Sequence, residues 1–164
     1  MKDLFEKSAL IFGCGNILFG DDGFGPAVIH QLTQQHALPE DVLALDMGTS
    51  IRDTLLDLTL SEKKPGLLLI VDAVDFPDRS PGEIFEIPVT QIPEKKASDF
   101  SLHQFPTINL LAKLKDQAKI KIIVLVAQVD HIPDEVSPGL SKTVQEAVKP
   151  ACERIVQILE TALQ

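Results

Sequence analysis

A three-layer α/β fold is expected from three features of the 164-residue sequence. Apolar runs of strand length alternate with amphipathic stretches of helix length. Several of the runs are apolar without interruption, and glycine- or aspartate-containing turns follow them. Uninterrupted apolar runs suit strands covered by helices on both faces, and strand–helix alternation is the pattern of layered α/β domains.

Taken in order, Ala9-Leu10-Ile11-Phe12 is the first strand and leads into a glycine-containing loop. A helix from about Gly23 to Ala37 follows, with Phe24, Ala27, Val28 and Leu32 on one face, and Leu38-Pro39 breaks it. Val42 to Asp46 is the second strand, and Ile51, Leu55, Leu56 and Leu58 mark a short second helix. Gly66 to Asp72 is the third strand, and Gly82 to Ile87, which alternates more, is the fourth. The third helix carries Phe105, Ile108, Leu111, Ala112 and Lys115. It is entered through Ser101-Leu102-His103-Gln104, which has capping-box spacing, with Pro106 in the first turn. Ile120 to Ala127 is the fifth strand. The last helix spans about Ser141 to Leu163, with Val144, Val148, Ala151, Ile155 and Leu159 on one stripe, and Pro150 is expected to interrupt and kink it. The order is β-α-β-α-β-β-α-β-α in one domain, residues 1–164, without internal repeat or low-complexity linker. Ala73 to Pro81 is too short for a helical crossover, so the fourth strand should run antiparallel in a mixed sheet.

Fifteen basic against 24 acidic residues give a net charge of −9, which repels phosphate backbones and argues against nucleic acid as a partner. Trp and Tyr are absent, so base stacking and phenol chemistry have little to work with. The start, Met1 to Lys7, is unlike an export signal, and no apolar run approaches the roughly 20 residues of a membrane span. Cys14 and Cys152 lie far apart with no CxxC spacing. A reduced, cytoplasmic monomer is the expectation.

Ligands of open α/β sheets gather beyond the carboxyl ends of the parallel strands. Those ends supply Gly13 to Gly25, then Asp46-Met47-Gly48-Thr49, Asp72, and Gln128-Val129-Asp130-His131, with His103 from the loop before the third helix. A dinucleotide fingerprint fails, because the third glycine position after Gly13 and Gly15 is Leu18. A phosphate loop fails too: Asp21 and Asp22 stand after Gly20 where lysine is needed. A phosphoryl-receiver arrangement is also a poor fit, since the loop from Gly13 to Gly20 separates the acids from the strand. Asp22, Asp72 and His103 fit a different chemistry, two carboxylates and an imidazole around a divalent ion such as nickel or zinc. The same trio suits activation of a water, with a carboxylate as general base.

Each residue also has a plainer reading. Asp22 fits a helix N-cap, Asp72 a strand-end turn, and His103 a first-turn helix residue. Asp21 is read as structural, or as a support behind the site, rather than as a direct ligand. Asp46, Gly48 and Thr49 suit either the wall of a ligand cleft or a turn. Asp130 and His131 are the competing metal pair, and Cys14 with His103 is the weaker nucleophile–base alternative.

The run Gly13-Cys14-Gly15-Asn16-Ile17-Leu18 through Asp21-Asp22-Gly23-Phe24-Gly25 resembles the N-terminal motif of the nickel-iron hydrogenase maturation endopeptidases. Asp46-Met47-Gly48-Thr49, Val71-Asp72-Ala73, Pro81-Gly82-Glu83-Ile84, Ser101-Leu102-His103 and Ser137-Pro138-Gly139-Leu140-Ser141 follow in that family's order. The stretch Phe19 to Pro26 looks closest to the branch serving the deazaflavin-reducing hydrogenases of methanogens. The resemblance implies a five-stranded sheet of order 2-1-3-5-4 with the fourth strand antiparallel. It implies removal of a C-terminal extension from a hydrogenase large-subunit precursor after nickel insertion, and an aspartic-type grouping among peptidases. It also implies that Asp22, Asp72 and His103 reach nickel carried by the substrate, so no tightly held metal of the protein's own is expected. Two other classes keep the same trio: a non-catalytic nickel-binding assembly chaperone for hydrogenase, and a metal-dependent hydrolase of a small molecule.

Overall fold

The computed structural model describes residues 2–89 and 107–164. A short 3-10 helix, Lys2–Glu6, precedes β1 (Ala9–Cys14), a single 3-10 turn (Gly20–Gly23) and α1 (Phe24–Gln35). Then come β2 (Val42–Gly48), α2 (Ile51–Leu60), β3 (Leu67–Val74), β4 (Ile84–Ile87), α3 (Thr107–Ala118), β5 (Lys121–Gln128) and α4 (Lys142–Ala162). The strands form one sheet of order β2-β1-β3-β5-β4. β1 pairs in parallel with β2 and β3, β3 with β5 in parallel, and β4 runs antiparallel to β5, as the short connection required.

Period-two alternation sorts the apolar side chains of the central strands into two cores. Ala9, Ile11, Leu67, Leu69, Val71, Leu125 and Ala127 pack with residues of α1 and α4 on one face. Leu10, Phe12, Leu68, Ile70, Val124 and Val126 pack with residues of α2 and α3 on the other. β1 and β3 are buried along their whole length, because both faces are covered. The outer strands β2 and β4 are only partly covered. All four parallel strands deliver their carboxyl ends to one edge, and the loops there hold the candidate site.

Two local features differ from the sequence expectation or lie beyond it. α4 continues as one helix through Pro150 rather than breaking there. Pro150 is on the exposed face, so the Glu146 carbonyl that loses its N–H donor can be served by water. The expected entry to the third helix, residues 101–106, lies outside the described residues. Among the described residues no helix is long and apolar enough to cross a membrane.

Candidate active site

The loop from β1 to α1 is built on glycines because the backbone is crowded there. A Cβ on Gly25 would meet the Val71 carbonyl oxygen at 2.5 Å and the Cys14 nitrogen at 2.6 Å, so α1 begins against both β1 and β3. Gly15 has φ +136°, and a Cβ there would run into the Asp22 carbonyl oxygen. Folded back this tightly, the loop buries both Asp21 and Asp22.

Asp22 does not cap α1. The N-cap position is Gly23, and no side chain caps that end. The Asp22 carboxylate turns instead to its own loop, where the Asn16 N–H donates to Oδ2 at 2.9 Å. Asn16 uses its other groups as well: its Oδ1 accepts from the Leu18 N–H at 3.0 Å, and its carbonyl accepts from the Phe19 N–H at 3.1 Å. The Asp22 N–H then donates to the Phe19 carbonyl at 3.1 Å, closing the turn.

Asp72 lies near the end of β3, wholly buried and paired in register with Val126 of β5. Its Oδ1 accepts from the Ala73 N–H at 2.8 Å, while Oδ2 is buried with no hydrogen-bond partner among the described residues. Burial pushes this carboxyl well above the usual carboxylate range; the Ala73 hydrogen bond pulls it down, and the neighbouring Asp22 charge adds to the rise. Asp22 and Asp72, from separate strands' ends, therefore sense each other electrostatically. His103, the third member of the expected trio, lies outside the described residues.

Asp21 behaves as the structural residue it was read to be, and the structure shows how. Its Oδ2 accepts from the N–H groups of Asp130 at 2.9 Å and His131 at 3.2 Å, and from the Ser141 hydroxyl at 2.9 Å. Its Oδ1 accepts from the Ser141 N–H at 2.7 Å. Ser141 sits at the N-cap of α4 yet makes no side-chain cap, since its hydroxyl serves Asp21. Asp130 and His131 thus contribute backbone here, with exposed side chains. Among the described residues, no group of three or more His, Cys, Asp or Glu is disposed to hold a metal ion.

Asp46, at the end of β2, accepts from the Gly48 N–H at 2.9 Å in a local turn. Gly48, with φ +52°, offers its carbonyl to the Gly15 N–H at 2.9 Å, and Thr49 beside it is exposed. This turn braces the Gly15 loop, and its Gly48 faces open space where a Cβ would be. Cys14 is fully buried in the core under α2 and α3, an unfavourable setting for a nucleophile. Sequence reasoning passed over Asn16. The available signal was an Asn directly after the glycine turn, where its side chain can accept from a backbone N–H two residues on.

Comparison with known proteins agrees with this fold. The hydrogenase maturation protease family model matches residues 26–158. A chain assigned as a hydrogenase maturation protease in Methanocaldococcus jannaschii is 39% identical over 153 residues, covering 92% of this chain and 96% of that one. The coenzyme F420 hydrogenase delta subunit of Methanothermobacter thermautotrophicus is 33% identical over 159 residues, covering 94% of each. The solved hydrogenase maturating endopeptidase of Escherichia coli superposes with a TM-score of 0.72 at 26% identity, covering 94% of this chain and 93% of that one. A five-stranded sheet that superposes on a solved member and a family match over most of the length lead to one conclusion: this chain belongs to the hydrogenase maturation protease family.

Proposed function

We propose that this protein is an endopeptidase that removes the C-terminal extension of a nickel-iron hydrogenase large-subunit precursor after nickel has been inserted. Nickel arrives as part of the substrate, and the protein works as a monomer with no tightly held metal of its own. The supporting observation is the Asp72 Oδ2, a carboxylate oxygen buried without a hydrogen-bond partner among the described residues, with a second carboxylate, Asp22, acting on it electrostatically. An acceptor kept out of water and unpaired is costly unless something else supplies the partner. A divalent ion with open positions is such a partner, and oxygen donors with an imidazole suit nickel.

In this reading Asp22, Asp72 and His103 meet the substrate's nickel, which brings the scissile bond to the carboxylates. Asp22, held by the Asn16 N–H, polarises the attacking water as general base. Asp72 offers its unpaired Oδ2 to the arriving cation. Asp46, Gly48 and Thr49 line the approach of the tail peptide. Such chemistry places the enzyme in an aspartic-type grouping.

The deciding experiment is intact-mass analysis of a nickel-loaded large-subunit precursor incubated with the protein. Nickel-free precursor and the His103→Ala variant run in parallel. Loss of a C-terminal peptide only with nickel and with His103 intact is the expected result. An unchanged mass with a stable complex would establish an assembly chaperone instead. Stoichiometric metal in the purified protein, with no action on precursor, would favour a small-molecule hydrolase.

A further inference from the structure

The loops that build the reactive edge also leave three large apolar side chains in water. Ile17 is 59% exposed, Leu18 45% and Val136 64%. They come from segments far apart in sequence that the backbone fastens together. Phe19 and Ser137 form a parallel bridge, in which the Ser137 N–H donates to the Leu18 carbonyl at 2.8 Å and the Gly20 N–H to the Ser137 carbonyl at 2.9 Å. That register sets Leu18 beside Val136. Ile17 follows Asn16, whose N–H holds Asp22, and its Cα lies 3.2 Å from where a Cβ on Gly23 would stand.

Apolar side chains held on a hydrogen-bonded backbone are prepared for contact, since little conformational freedom remains to be lost on binding. Their place in the chain ties them to the reactive edge: Ile17 and Leu18 directly follow Asn16, whose N–H holds Asp22. The charge around them is one-sided. Asp134 and Glu135 directly precede Val136 and are exposed, Asp130 is exposed earlier in the same segment, and neither Gly13 to Pro26 nor Gln128 to Ser141 contains a Lys or Arg. An acidic rim around an apolar centre favours a partner with the reverse rim and the same centre.

We propose that Ile17, Leu18 and Val136 form the docking surface for the precursor segment next to the scissile bond, an apolar stretch flanked by basic residues. This rests on the endopeptidase reading above and deepens it by naming where and how the substrate is gripped. The acidic rim draws the segment in, and the three apolar side chains hold it while Asp22 and Asp72 act.

The test is steady-state cleavage of nickel-loaded precursor, followed by intact mass, with the Leu18→Ser/Val136→Ser double variant and the Asp134→Lys/Glu135→Lys double variant. These side chains are exposed, so both variants should fold as the wild type does. The expected result for the serine variant is a KM raised about tenfold with kcat within about twofold, the mark of lost binding made equally in ground and transition states. For wild type, KM should rise with ionic strength, and the lysine variant should lose that dependence. Leu60→Ser, 76% exposed on α2 toward the opposite edge of the sheet, should leave both constants unchanged. An unchanged KM in the serine variant, or a fall in kcat alone, would overturn the docking surface and leave the endopeptidase reading standing. A wild type that cuts no precursor would overturn both.

Discussion

Asp72 places an ionisable oxygen where nothing in the described structure accepts or donates to it. Its carboxyl is held above the usual range by burial, so the folded protein keeps this proton more tightly than the unfolded chain does. The contribution to stability is fully present below the unfolded value of about 3.9 and is lost as pH rises through the raised folded value. Asp72→Asn should therefore melt at a higher temperature than wild type at neutral pH, and scans toward pH 4 should close the gap. The same variant should not cut precursor. Asn16 makes a separate prediction. Asn16→Ala removes the acceptor for the Leu18 N–H and loosens the turn that aims Asp22. Cleavage should fall about 10- to 100-fold, as small misplacements of a reacting group do, while Asn16→Asp, which keeps the acceptor, should recover part of the loss. Cleavage rates of the two variants at matched folded fraction decide it.

At the scale of elements, most of the fold was legible in the sequence because strands buried on both faces announce themselves as unbroken apolar runs. β3 is the clearest case, buried from Leu67 to Val74. The antiparallel β4 followed from chain length alone. The family resemblance supplied the full strand order, which periodicity by itself leaves open. Pro150 does not interrupt α4, because a proline's effect depends on which face of the helix it occupies, and that is a property of packing. Pro150→Ala restores an N–H to the Glu146 carbonyl and should raise stability by about 1–3 kcal/mol in urea unfolding. A neutral or destabilising result would mean that α4 already accommodates the ring at no cost.

For the whole molecule, the sequence named Asp22, Asp72 and His103 as one constellation, and the fold brings Asp22 to Asp72. The contacts that hold that edge were not legible. Asp21's partners sit 109 to 120 positions away, and three of its four bonds are donated by backbone, whose identity no residue type reveals. The Phe19–Ser137 bridge is equally a product of tertiary folding. Asp21→Asn presents an amide to some of these donors and should cost about 2–4 kcal/mol, because buried donors lose their acceptor. Chemical unfolding measures that loss, and a change below about 0.5 kcal/mol would show that the loops hold without it.

The span of the Asp21 knot also imposes an order of events during synthesis. A ribosome releases β1 and the Asp22 loop early, but the donors that fix that loop arrive only when residues 130, 131 and 141 have emerged. Until then the β1 loop lacks its lock, however well β1 has paired with β2 and β3. The geometry of the reactive edge is therefore completed only once translation has passed the start of α4.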